Sequence, residues 1–277
     1  SLTPTLFGQR VPAGKYLIIH NTISQEDINK YLFADVGLPG DARETLRAMI
    51  EEVKAEIGPK GRKGTTTVPA EIAAMKAKWL EEWMPLFTDD MEPINPYRLI
   101  REIDLTIDKE HSIVTHDAGA PRDQMVPIFT ATVPHSYIGW GKTTHLGFGL
   151  PLMIGAKMAY PDRFCLNFMG DAAFGMSGMD LETSQRAGLP ITTVLMNNCI
   201  MATYSATYYP VAQEKFGVTY MQGDYAKIAE GMGAVGIKVT KPAEIAPALK
   251  RAQRLNAEGK TVLLDVCTRR EEKRSGK

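Results

Sequence analysis

The sequence predicts an α/β fold, a parallel sheet with helices on both faces. Three observations carry that reading. From Asn95 onward, short apolar segments alternate with helical stretches. Apolar strands placed between helices are what a parallel sheet buried on both faces requires. The length of 277 residues, 44% of them hydrophobic, is enough to bury a sizeable core.

The elements follow in order. Residues 15–19 (KYLII) read as a short buried strand. Asp41 stands three residues before Glu44 in a capping-box arrangement, and Leu46, Met49, Ile50, Val53 and Ile57 recur behind it at helical spacing. Glycine, proline and basic residues at 58–64 make a polar break. A second helix is expected from near Pro69, with Ile72, Met75, Trp79 and Trp83 on one face and its end before Pro85. Asp89, Asp90 and Pro93 form the next break. Asn95-Pro96 then reads as an N-cap followed by proline at the first helical position, with Leu99, Ile100 and Ile103 behind it. Strands are expected at 112–115, 164–169, 191–196, 236–239 and 261–267, and helices at 149–160, 179–187, 225–231 and 242–257. The charged residues that close the chain read as a solvated tail.

Ligands of such sheets bind at the carboxyl ends of the strands, here 117–121, 170–173 and 197–200. Composition narrows the ligand. The 32 basic and 32 acidic side chains cancel, which argues against nucleic acid or an anionic membrane as partner and leaves a small-molecule substrate. No run of about 18 apolar residues is present to span a bilayer, and the opening residues lack a secretory apolar core. Three scattered cysteines with no CxxC pair point to neither disulfides nor structural zinc, and a cytoplasmic setting is expected.

The strongest chemical signal is Gly170-Asp171, followed one strand later by Asn197-Asn198. In a strand–helix–strand unit this spacing puts a carboxylate and an amide oxygen side by side at one sheet edge. A hard cation such as Mg²⁺ takes oxygen ligands and shares its shell with phosphates. Gly170, Ala172 and Ala173 are small enough for backbone N–H groups to approach a diphosphate. Taken singly, both dipeptides are also ordinary turn residues after strands. No GxGxxG follows a first strand, which disfavours a nicotinamide site.

The stretch GDAAFGMSGMDLETSQRAGLPITTVLMNN resembles the GDG…NN signature of thiamine-diphosphate enzymes, in the acetolactate synthase, pyruvate oxidase and 2-hydroxyacyl-CoA lyase branch. HLGFGLPLMIGAKMAYPDRF upstream, and GDYAKIAEGMGAVGIKV and TVLLDV downstream, resemble the same family in the same order. The resemblance implies four regions: 1–57 as the end of a central domain, 58–93 as a helical linker, 94–270 as the diphosphate-binding domain and 271–277 as a charged tail. It implies thiamine diphosphate and Mg²⁺ as cofactors; FAD is left open, since some relatives bind it, but nothing here indicates it. Asp171 and Asn198 would bind Mg²⁺ by side chain and Ile200 by its carbonyl. Ala172 and Ala173 would lie against the diphosphate. Leu146 falls where the family keeps a bulky apolar residue that holds the cofactor bent, and the Thr144 carbonyl would receive its 4′-amino group. Met201 and Tyr204 would reach the substrate pocket, although a Met and aromatic stripe is also ordinary packing. His145, in a usually uncharged position, is either a proton shuttle or a structural histidine.

There are departures. Ala172 replaces the second glycine of GDG, tolerable if its φ stays negative. A Gln-His pair common after Asp-x-Gly is missing from Asp117-Ala118-Gly119-Ala120-Pro121-Arg122, where Arg122 could serve as a cation instead. The family's pyrimidine-binding domain, most of the central domain and the catalytic glutamate have no counterpart in these residues. The resemblance therefore implies a second chain carrying them, with further oligomerisation, or a processed precursor, or a fragment. The expected activity is carbon–carbon bond cleavage or formation next to a carbonyl. The alternatives are a 2-hydroxyacyl- or oxalyl-thioester lyase and a non-catalytic assembly subunit.

Overall fold

The computed structural model describes residues 16–30, 33–61, 66–139, 145–201, 209–218 and 220–274. The chain divides into two compact units, one up to Met75 and one from Lys76.

In the first unit, strand β1 (Ile19–Thr22) pairs in parallel with β2 (Val36–Pro39). The strand thus starts where KYLII ends, and Tyr16, Leu17 and Ile19 are exposed rather than buried. The Asn21 amide locks the pair by donating to the carbonyls of Leu38 (2.8 Å) and Gly40 (3.1 Å). Helix α1 (Ala42–Ile57) starts as expected, with the Asp41 carboxylate accepting from the Arg43 and Glu44 amides. Its apolar stripe, Leu46 to Ile57, is exposed.

Helix α2 (Val68–Phe87) runs through Pro85 instead of ending before it. Proline removes only the hydrogen bond to the Glu81 carbonyl, on a side where both residues are exposed. The gain is Phe87, which is buried with Trp83. Trp79 stacks on Trp83 at 5.4 Å, and Trp83 meets Tyr97 edge-on at 4.8 Å.

The second unit is a five-stranded, all-parallel sheet in the order β3-β4-β5-β7-β6. Its strands are β3 (Ser112–His116), β4 (Phe164–Gly170), β5 (Thr192–Asn197), β6 (Val235–Val239) and β7 (Val262–Cys267). The helices are α3 (Pro96–Thr106), α4 (Ala120–Met125), α5 (Gly149–Ala159), α6 (Asp171–Ser177), α7 (Asp180–Arg186), α8 (Pro210–Phe216), α9 (Tyr225–Gly231) and α10 (Ile245–Ala257). The Asn95 cap of α3 is present, its side chain accepting from the Tyr97 amide at 2.9 Å.

Strand residues alternate between two buried layers. Leu166, Phe168, Val194, Leu264 and Val266 pack with Leu99 and Ile103 of α3 and Leu249 of α10. Cys165, Met169, Leu195 and Leu263 pack with Leu150 and Met153 of α5, Leu181 of α7 and Ala229 of α9. Both faces are therefore covered, as the sequence pattern requires. Among the described residues no helix is long and apolar enough to cross a membrane.

The closing charged residues differ from the expected solvated tail as far as Arg274. Lys273 lies 4.6 Å over the Trp83 ring and pairs with Glu82 at 2.9 Å; its carbonyl accepts from the Tyr97 hydroxyl. Arg269 pairs with Asp89. The cation held against an indole face and paired with a carboxylate explains the docking.

Candidate functional site

The carboxyl ends of β3, β4 and β5 open into one cavity. It is lined by Ala118 to Pro121 from the β3–α4 turn, Leu146, Gly170 to Ala173 from the start of α6, and Met196, Asn198, Ile200 and Met201 from the end of β5. Eight residues singled out from sequence thus meet in one place: Leu146, Gly170, Asp171, Ala172, Ala173, Asn198, Ile200 and Met201. Thr144 and Tyr204 lie outside the described residues.

Parallel register accounts for the convergence. Gly170 pairs with Met196 across β4 and β5, so Asp171 and Asn198 leave adjacent strands at nearly the same level. Asp171 is 2% exposed. Its Oδ1 accepts from the Ala172 amide at 2.8 Å, while Oδ2 is buried with no hydrogen-bond partner. Burial raises the Asp171 pKa, offset in part by the nearby amides of Ala172, Cys199 and Ile200. Asn198 Oδ1 accepts from the Ile200 amide at 3.2 Å, which folds the loop tightly; Cys199 between them has φ of +56°. An orphaned carboxylate oxygen beside an amide oxygen suits a hard cation. Among the described residues no three His, Cys, Asp or Glu side chains gather as a metal site, so a cation here would draw on amide and backbone oxygens as well.

Ala172 lies within α6 at negative φ, so its methyl causes no backbone strain. A Cβ added to Gly170 would meet only Pro121, at 3.8 Å, so packing does not demand that glycine. His145 is exposed, sets its ring edge-on to Phe148 at 4.9 Å and does not line the cavity. Arg122 is engaged by Asp123, with Nε at 2.7 Å. Cys199 is held by partial burial and by the charges of Asp171 and Asp265 above the ordinary thiol range, which makes it a poor nucleophile.

Two supporting groups were not read as such from the sequence. Asp117 is fully buried and takes three backbone amides, from Ala118, Gly147 and Gly149. Asp265 of β7 accepts from the Asn197 side chain at 2.8 Å, and Asn197 in turn accepts from the Cys199 thiol at 3.4 Å, beneath the loop that carries Asn198. An acidic residue at the end of a buried strand is the available signal for Asp117; Gly147 and Gly149, some 30 residues away, carry none.

A parallel sheet whose carboxyl edge gathers a buried carboxylate, an amide and small residues has the arrangement of a cofactor-binding α/β domain. Residues 117–266, more than half of the chain, match the family model "Thiamine pyrophosphate enzyme, C-terminal TPP binding domain", and the chain belongs to that family. Among curated proteins it is 27% identical over 245 residues to the mitochondrial acetolactate synthase catalytic subunit of Saccharomyces cerevisiae, covering 86% of this chain and 34% of that protein. It is 26% identical over 257 residues to the acetolactate synthase isozyme 3 large subunit of Escherichia coli, covering 90% and 43%. A probable acetolactate synthase large subunit of Methanocaldococcus jannaschii is 26% identical over 254 residues, covering 85% and 40%. The chain spans less than half the length of these relatives.

Proposed function

We propose that this chain supplies the diphosphate and metal site of a thiamine-diphosphate- and Mg²⁺-dependent enzyme that cleaves or forms a carbon–carbon bond next to a carbonyl, by 2-oxo acid decarboxylation or carboligation. The observation that carries the proposal is the partnerless Oδ2 of Asp171, buried at the edge it shares with Asn198 and Ile200. Asp171 and Asn198 hold the cation by side chain and Ile200 by its carbonyl, while the Ala172 and Ala173 amides lie against the diphosphate. Gly170 keeps that wall free of side chain. Leu146, on the cavity wall, would hold the cofactor's rings, and the Thr144 carbonyl is assigned to receive its 4′-amino group. When bound, thiamine diphosphate supplies a nucleophilic thiazolium carbon. The protein's part is to orient that cofactor; His145, outside the cavity lining, is assigned the role of proton shuttle and Met201 and Tyr204 that of substrate-pocket residues.

The pyrimidine-binding domain, its glutamate and the rest of the central domain lie outside these residues, and the assembled enzyme is assigned to a larger cytoplasmic oligomer. The exposed stripe of α1 is consistent with an incomplete first unit. The test uses the protein as purified with whatever chain accompanies it, supplied with thiamine diphosphate, Mg²⁺ and a panel of 2-oxo acids beginning with pyruvate. Carbon dioxide release that needs both cofactors, and is lost in Asp171→Ala, is expected. Release that persists in Asp171→Ala, or no release alongside no cofactor binding, would overturn the proposal.

A further inference from the structure

We propose that Asp117 is the positioning residue of this cavity: its carboxylate ties the Leu146 turn to the β3–α4 turn and so sets where the Leu146 side chain stands. Asp117 follows β3 directly and is 0% exposed. Oδ1 accepts from the Ala118 amide at 2.7 Å and from the Gly147 amide at 2.9 Å, and Oδ2 accepts from the Gly149 amide at 2.8 Å. Ala118 and Leu146 both line the cavity, on separate segments of chain, whereas Asp117 does not touch it. One buried carboxylate therefore joins two of its walls from behind.

Neither segment approaches Asp117 by accident of packing. Gly147 has φ of +88°, and a Cβ there would stand 3.1 Å from Ser177 Oγ. A Cβ on Gly149 would stand 2.2 Å from Asn167 Oδ1 and 3.1 Å from Asp117 Oδ2. Only glycine lets the backbone reach the carboxylate at these positions. The group itself must be an acid. A carboxylate accepts at both oxygens, whereas an amide of the same shape presents an NH₂ to one of the three N–H donors and leaves it unmatched. Hydrogen bonds from backbone amides to a charged acceptor are also the stronger kind.

The inference rests on the reading of Leu146 as the residue beneath the cofactor, and two measurements on the purified protein with its accompanying chain keep the two apart. The first follows backbone amide exchange without cofactor in wild type and Asp117→Asn. Exchange at Gly149, the donor that then faces the amide NH₂, is expected to rise about 10- to 100-fold, the range a lost charge-assisted hydrogen bond implies, with β4 and β5 unchanged. The second titrates thiamine diphosphate at saturating Mg²⁺. Asp117→Asn is expected to bind about tenfold or more weakly, and Asp117→Asn combined with Leu146→Ala to bind no more weakly than Leu146→Ala alone. Unchanged exchange, unchanged affinity or additive effects overturn the positioning role. A wild-type protein that binds no thiamine diphosphate overturns the functional reading itself, and the inference with it. Should Asp117→Asn fail to fold, Gly147→Ala strains the same turn while keeping all three donors. It must then reproduce the affinity loss, and full affinity in that variant overturns the inference.

Discussion

Replacing Asp171 by Asn should make the cation-free protein more stable while removing its divalent-dependent cofactor binding. The asparagine keeps an oxygen for the Ala172 amide, the bond that Oδ1 now makes at 2.8 Å. What it removes is a buried carboxylate whose second oxygen has no partner. An unsatisfied buried polar group costs about 1–3 kcal/mol, and more when charged. The replacing NH₂ is neutral but faces the Cys199 and Ile200 amides that now favour the carboxylate, so a smaller net gain of about 1 kcal/mol is expected. With a urea dependence of about 2 kcal/mol per M, the unfolding midpoint should rise by about 0.5 M. Adding Mg²⁺ and thiamine diphosphate at 100 times their dissociation constant should stabilise wild type by about 2.7 kcal/mol and the variant hardly at all, inverting the order. Urea unfolding followed by tryptophan fluorescence, with chelator and then with both ligands, measures each arm. A variant less stable than wild type in chelator would mean that Oδ2 is satisfied by the protein, and the argument for a cation there would fail.

Four further outcomes are expected. Leu146→Ala, at a half-buried position, should cost only about 1–2 kcal/mol in unfolding but weaken thiamine diphosphate binding measurably in a titration. Gly236→Ala places a Cβ 2.1 Å from the Ala226 carbonyl oxygen, where β6 meets α9. Backbone cannot yield as a side chain can, so a loss of about 3 kcal/mol or more, or failure to fold, should show in thermal unfolding. Cys165 is fully buried and its thiol is pushed up to about 11 from 9.0. It should resist an alkylating reagent at pH 8 until the protein unfolds, and its contribution to stability, whole below pH 9.0, should fade as pH rises toward 11. His116 is held below its ordinary 6.5, chiefly by burial and also by the Arg122 charge. Its neutral form therefore stabilises the fold above pH 6.5 and that stability is lost as pH falls through the depressed value. Unfolding across pH 7 to 4 should be flatter in His116→Gln.

The sheet and its cavity were largely legible because buried parallel strands are continuous apolar runs. FCLNFMG and TTVLMN place Asp171 and Asn198 at matching strand ends without further information. Tertiary pairing was harder to read. Strand β2, VGLP, contains Gly37 and Pro39, both poor strand formers, and forms because β1 lies beside it; a Cβ on Gly37 would press on Ile28 at 3.0 Å. Pro85 is a stop by local rules, but the burial of Phe87 carries α2 past it. The Gly147 and Gly149 amides on Asp117 and the seat of Lys273 on Trp83 join residues distant in sequence, and no local pattern marks them.

The central claim is that this sheet edge holds a diphosphate through a divalent cation. Calorimetric titration of the purified protein against thiamine diphosphate and against thiamine, each with Mg²⁺ and with chelator, tests it most directly. Tight binding only when both the diphosphate and the cation are present is the predicted result. Thiamine bound as well as its diphosphate, or thiamine diphosphate bound equally well in chelator, would contradict the account.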